Sequence, residues 1–329
     1  MGSIHENKGR SKKVLMRRLF AFGSLALMLV IFSLTSGNFF SYKNIMTILL
    51  SSSITGLLAL GMTFTIIAGG YDLSMGTVMT VSGVFMAQAM REWGFPIPLA
   101  ILLALVVGAL FGLINGFAIS RMKLQPFIAT LGTMMISKGL ALVVSKANVL
   151  YLTDFAGFDK ISTGSVIGSL IPGLNIPNAV LIFFAIALLA HWVLSKTVYG
   201  RYVFAIGSNE DAVNMSGVNA DNWMTIVYIT SGIFSGMAGV MMASRLVSAQ
   251  PAIGSGYEMD AIAAVVIGGT PLGGGEGSML STVLGVFVLA VLLNGLRMLS
   301  VDQEWQTIVT GIIIIVTVYI DQRRRKQQA

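Results

Sequence analysis

The chain has 329 residues, 55% hydrophobic and 11% charged, with a mean hydropathy of +0.82. Soluble domains carry roughly 25% charged residues, so this chain lacks the polar surface to cover a water-soluble globule and reads as an integral membrane protein. With no cysteine and two distant histidines, His5 and His191, disulfides and thiolate metal sites are excluded and a zinc site or histidine triad has no basis. The net charge of +7 sits at loops and tails, where membrane topology uses it, rather than on a nucleic-acid face.

Residues 1–18 form a polar tail with six basic residues. The apolar run after it resembles a signal peptide, but many more apolar runs follow, so it reads as a first anchor. A helix needs about 20 apolar residues to cross a bilayer. On that ruler spans fall near 19–36, 45–68, 72–90, 97–119, 126–145, 178–195, 223–245, 259–271, 279–298 and 304–320. All are expected to be helices, because lipid satisfies no free backbone groups. The fold class is therefore all-α, with about ten transmembrane helices in one domain, 19–321, the eighth short enough to be broken or partly re-entrant. A second basic tail, 322–329, follows.

Ten spans put both tails on one side. With the tails in the cytoplasm, the inside segments also hold Arg121, Lys123, Lys196, Arg201 and the closing run of Arg323, Arg324, Arg325 and Lys326. The outside segments hold only Lys43, Arg91, Lys146, Lys160, Arg245 and Arg297, a bias that favours this orientation. The connection 146–177 then lies outside and 196–222 inside.

Four stretches are candidates for function. In GGYDLSMG, 69–76, the glycines permit a sharp turn and Asp72 suits a helix N-terminus. It is either a capped interhelical turn or a broken helix on a solute path, with Gly70, Asp72 and Ser74 facing that path. RMKLQPFIATLGT, 121–133, opens the fifth span with Pro126 in the first turn. Its Phe127 and Thr130 are path candidates, against a plainer role in helix packing. GYEMDAIAAVVIGGTPLGGGEG, 256–277, carries Glu258 and Asp260 at the entry of a short helix and Gly268, Gly269 and Thr270 at its end. No nucleophile or base accompanies the carboxylates, so helix-end capping competes with a gate role. The Walker pattern G-x-x-x-x-G-K-[ST] is absent, so no ATP site is recognisable. GRYVFAIGSNEDAVNMSG, 200–217, is a polar exception between apolar runs. Ser208 is the expected N-cap of a short helix, with Asp211 in the position of a capping box and Gly217 ending it. This segment is expected to dock on a separate, energy-supplying protein, against a plain helical connection. No carboxylate falls at the middle of a predicted span, and Lys138 is the one charge inside any, which disfavours a proton-coupled carrier.

At these stretches the sequence resembles the ribose-type sugar permeases of bacterial ABC importers. NFFSYKNIMTIL, GGYDLSMG, PFIATLGTM, GRYVFAIGSNEDAVNMSGVN, SAQPAIGSGYEMDAIAAVVIGGT and WQTIVTGIIIIVTVYID occur in fixed order over about 38–321. Tyr71, Pro271 and Glu276 depart from the usual pattern. The resemblance implies a non-enzymatic permease of the bacterial inner membrane with both termini cytoplasmic. It implies a dimer with itself or a paralogue, two cytoplasmic ATPase subunits that hold the ATP and Mg, and a periplasmic or lipoprotein solute-binding partner. Coupling to the ATPase is then expected at Gly200, Arg201, Ala205, Gly207, Ser208, Asn209, Asp211, Ala212 and Gly217. The solute expected is a small neutral sugar. The alternatives are a branched-chain amino-acid permease of the same general kind and an ion-coupled secondary sugar carrier.

Overall fold

A computed structural model describes residues 22–326. The basic tail 1–18 and the start of the first predicted span lie outside the described residues. Where the sequence leads to ten spans, ten helices stand: α1 (Phe22–Thr35), α2 (Tyr42–Ile67), α3 (Met75–Glu92), α4 (Ile97–Ser120), α5 (Pro126–Ser145), α7 (Asn178–Lys196), α10 (Ala220–Leu246), α11 (Tyr257–Ile267), α12 (Met279–Met298) and α13 (Gln303–Lys326). Three shorter helices lie in the connections: α6 (Val166–Leu170), α8 (Val198–Ser208) and α9 (Glu210–Met215). Helix α13 runs on to Lys326, through most of the predicted second tail.

Among the described residues six helices are long and apolar enough to cross a membrane: α2, α4, α5, α7, α10 and α12. The count of ten is therefore not established. Helix α11 has only 11 residues, about 17 Å of rise against a hydrocarbon core of about 30 Å. Helix α3 falls short in hydropathy for a different reason. It is buried along nearly its whole length and carries Thr77, Thr80 and Ser82 among its buried residues. A helix surrounded by protein has no lipid to match.

Local signals explain the boundaries. Pro98 and Pro126 sit in the first turns of α4 and α5, where a missing N–H costs nothing. The Ser41 hydroxyl accepts from the Asn44 amide and caps α2. At the far end of the bundle β1 (Leu150–Tyr151) pairs antiparallel with β2 (Ser248–Ala249), with Leu150 opposite Ala249 and Tyr151 opposite Ser248. This small ribbon ties the long 146–177 connection to the end of α10 and was not expected from an all-helical reading.

The core forms around α2, which packs with α7, α10, α11 and α12. A second cluster joins α3, α4 and α10 to Leu150, Leu152 and Phe158. The α4–α10 seam is built on small residues. A Cβ at Gly108, Gly112 or Gly116 would run into the backbone of α10 at Gly232, Tyr228 or Thr225. The four-residue spacing puts these glycines on one face, so the two backbones touch directly, as membrane helices do when packing alone drives association. The outer faces of α4, α5 and α7 expose Leu102, Leu110, Phe117, Ile128, Met135, Leu188 and Leu189, side chains suited to lipid.

Candidate functional site

One end of the bundle collects the α2–α3 turn, the α4–α5 turn, the segment 197–222 and the α11–α12 turn. The segment 200–217 is not an open loop. Thr197 accepts from the Gly200 amide at 3.3 Å and starts α8, which continues to Ser208. Ser208 is thus the last residue of a helix rather than an N-cap. The cap of α9 is Asn209, whose Oδ1 accepts from the Ala212 amide at 2.9 Å. Asp211 plays no part in that cap. Gly217, with φ +85°, ends the turn after α9 as expected. The structure reverses the Ser208 assignment because α8 carries buried Val203 and Ile206 on one face. Tertiary burial extends the helix to a point where local polarity suggested a start.

Helix α8 is fastened by aromatic contacts. Tyr202 and Tyr199 lie 4.7 and 6.2 Å from the Trp223 ring on α10, and Tyr199 lies 5.5 Å from Phe64 on α2. The Tyr199 hydroxyl donates to Thr230 at 3.1 Å. By contrast α9 holds on by Val213 and exposes Asp211, Ala212, Asn214 and Met215, the last 90% exposed. Arg201 and Asn209 are exposed beside it, and Ala205 is half-buried.

Lys123 Nζ donates to Asp221 at 2.6 Å and lies 3.5 Å from Glu210, while Arg121 donates to Asn222. The α4–α5 turn is thereby tied to α9 and the start of α10. The hydrogen bond to Asp221 holds the Lys123 ammonium above its usual pKa.

Gly207 sits where three segments meet. A Cβ there would overlap the Ile67 carbonyl oxygen and lie 2.7 Å from the Gly275 nitrogen. The Gly275 amide donates to Ile67 at 2.8 Å. The ends of α2 and α8 and the turn after α11 therefore meet in direct backbone contact.

Next to this junction, Asp72 is buried between helices. Its Oδ1 accepts from the Ser74 amide (3.0 Å), the Ser74 hydroxyl (2.6 Å) and Asn115 Nδ2 (3.3 Å), and its Oδ2 accepts from Ser231 (2.7 Å). The Tyr228 hydroxyl donates to the Tyr71 carbonyl at 3.2 Å and fills the space a Cβ on Gly70 would need.

Residues 44–318 match the family model described as branched-chain amino acid transport system, permease component. The chain is 39% identical to the ribose import permease protein RbsC of Bacillus subtilis over 311 residues, 94% of each chain. It is 38% identical to RbsC of Haemophilus influenzae, covering 92% of each chain. It is 36% identical to the D-allose transport system permease protein AlsC of Escherichia coli, covering 91% of this chain and 89% of that one. The chain belongs to this permease family. No solved structure matches it.

The path candidates of the permease do not form one cluster. Gly70, Asp72 and Ser74 stand together, with Pro126 3.7 Å from where a Cβ on Gly70 would lie. Thr130 is buried but bonds its own helix at Pro126, and Phe127 is 54% exposed on the outer side of α5. Gly268 packs on the Ser281 carbonyl of α12, Gly269 (φ +91°) ends α11, and the buried Thr270 hydroxyl has no partner among the described residues. Glu258 and Asp260 lie at the opposite end. Both Glu258 oxygens accept from the Gly256 amide, at 3.0 and 3.1 Å, so this carboxylate caps its own helix start.

Asn115, Ser231, Tyr199, Tyr202, Trp223, Lys123 and Asp221 escaped the sequence reading. A polar Asn or Ser inside an apolar run was the visible signal for the first two. The others needed knowledge of which loops share an end.

Proposed function

We propose that this permease is the membrane-spanning subunit of an ATP-driven importer and moves a small neutral sugar, ribose or a related monosaccharide, by alternating access. The observation that carries this reading is its similarity to sugar import permeases across nearly their whole lengths. The family model names branched-chain amino acids in its description, but the relatives matched end to end import sugars. No bond of the solute is made or broken by this chain. ATP and Mg belong to a cytoplasmic partner subunit, and a periplasmic or lipoprotein binding protein delivers the solute. A second copy or a paralogue completes the pore. Both termini face the cytoplasm in the bacterial inner membrane, so α8, α9 and the glycine junction face the ATPase.

The coupling segment, 196–222, receives the force of ATPase closure. Helix α9 offers an exposed knob at Asp211, Ala212 and Met215 for a groove on the partner. Helix α8 passes its movement through Gly207 to the turns carrying Gly70, Asp72 and Ser74 on one side and Gly268, Gly269 and Thr270 on the other. The test is uptake of radiolabelled D-ribose into proteoliposomes holding the permease, its ATPase and its binding protein. Uptake should require ATP and the ATPase subunit. Uptake that continues without the ATPase on a proton or sodium gradient overturns the reading in favour of a secondary carrier.

A further inference from the structure

At the end of the bundle away from the glycine junction, α2, α10, α11 and α12 enclose a cavity of about 260 Å³. Ser51, Arg245, Tyr257, Asp260 and Arg297 line it, with Thr55 and mostly apolar side chains around them. A wider space of about 750 Å³ adjoins it, shares Tyr257, Asp260 and Arg297, and adds Gln306 from α13. Pockets for drug-sized ligands run to about 300–1,000 Å³, so the inner cavity suits a single smaller molecule that arrives through the wider one.

The three charged side chains are not spent on one another. No ion pair links Asp260 to Arg245 or Arg297. Arg245 donates to the Ser51 hydroxyl at 3.3 Å, and Arg297 Nε donates to the Leu293 carbonyl of its own helix at 3.2 Å. The Asp260 side chain accepts no hydrogen bond from the described residues, although it is half-buried. A guanidinium has five donors, and a carboxylate has room for several hydrogen bonds. Arg297 is exposed and Arg245 and Asp260 are half-buried at this end of the bundle, so all three keep hydrogen-bonding capacity for a molecule that enters the cavity.

The geometry points to a solute-holding site in the permease itself, formed by Ser51, Arg245, Tyr257, Asp260 and Arg297, for a neutral molecule bearing adjacent hydroxyls. A hydroxyl accepts from a guanidinium and donates to a carboxylate at once, so neighbouring hydroxyls of one ring satisfy both signs of charge together. An anionic solute would use both arginines but face Asp260. Of the five residues, only Asp260 stands out from the sequence as a path residue. The other four come from four separate stretches of chain that only folding brings together. This assignment rests on the sugar-importer reading and adds that the membrane subunit, besides its binding protein, selects the solute.

The test uses the complete transporter in proteoliposomes and ATP-driven uptake of radiolabelled D-ribose. Arg297→Met and Asp260→Asn should each lower uptake about tenfold or more, the size expected for one lost hydrogen bond to a charged group. Asp260→Glu, which keeps the carboxylate, should recover much of it. D-ribonate, the corresponding acid, should compete about tenfold better in Asp260→Asn than in the unaltered protein, because the site is then doubly cationic. A merely structural role for Asp260 does not change which competitor binds. Equal loss in Asp260→Glu and Asp260→Asn, uptake unchanged in both Arg297→Met and Asp260→Asn, or D-ribonate competition that Asp260→Asn leaves unchanged overturns the site while the importer reading stands. L-leucine outcompeting D-ribose in the unaltered transporter overturns the polyol assignment. Absence of ATP-driven D-ribose uptake by the unaltered transporter defeats the importer reading and this assignment with it.

Discussion

Helices α2 and α11 stop on the same backbone figure. At Gly69, φ is +89°, and the amides of Gly69 and Gly70 bond to the carbonyls of Ile66 and Thr65. At Gly269, φ is +91°, and the amides of Gly269 and Thr270 bond to Val266 and Val265. Both are Schellman endings on glycine. Beyond them the two turns part. After Gly69 comes Asp72, whose four hydrogen bonds reach the start of α3, the middle of α10 and the end of α4. After Gly269 comes Thr270, equally buried at 1% exposure but with a hydroxyl that finds no partner among the described residues. Further along that turn, Gly274 and Gly275 at φ +74° lie against the backbone of Gly69 and Gly207, and the Gly275 amide donates to Ile67. The α2–α3 turn is thus tied to three helices through one buried side chain, whereas the α11–α12 turn meets the junction through close backbone contact at its glycines.

The variant that breaks both sides at once is Gly207→Val. Its Cβ would overlap the Ile67 carbonyl, and its branches would reach the Gly275 amide. Neither obstacle is a flexible side chain, so α8 must move off the junction. ATP-driven uptake and solute-stimulated ATP turnover should both fall to background. Gly217→Ala is the comparison. Open space surrounds Gly217, so only its positive φ opposes a side chain, at a cost of about 1–2 kcal/mol. It should keep most of its uptake. If Gly207→Val transports normally, the junction does not carry the coupling.

Asp72→Ala isolates the α2–α3 turn. It leaves the Ser74 amide and hydroxyl and the Ser231 hydroxyl buried with no acceptor, which costs on the order of 3 kcal/mol, while Asn115 keeps its 2.9 Å bond to the Ser74 hydroxyl. The thermal unfolding temperature of the purified permease should drop by several degrees. Asp72→Asn keeps one acceptor oxygen and should lie between the two. Equal stability of all three proteins would show that the carboxylate does not lock the turn.

Much of this arrangement could be read from the chain alone. The ten apolar runs fall on ten helices, and a glycine ends α2 and α11 where the sequence places their glycine-rich turns. What the chain could not show was partnership. Asp72 looked like a helix cap because its nearest donor, Ser74, is local, whereas Asn115 and Ser231 lie 43 and 159 residues away. The polarity of 200–217 hid α8 because its buried face depends on Phe64 and Trp223. The outer cavity draws its charged side chains from three helices, and no local pattern joins Arg245 to Arg297.

The mildest change tests the α11–α12 turn. Thr270→Val replaces a hydroxyl that has no partner with a methyl of the same shape. Removing an unsatisfied buried polar atom is neutral or stabilising, by about 1 kcal/mol or more. Unfolding temperature should therefore hold or rise, the opposite of Asp72→Ala although the two residues are equally buried. Transport need not follow stability. A hydroxyl idle in this conformation is free to find an acceptor when the α11–α12 turn shifts, and the valine loses that second bond. A permease that is as stable as the unaltered one but turns over more slowly would place the Thr270 bond in the other conformation. Unchanged stability with unchanged uptake would show that the hydroxyl serves neither.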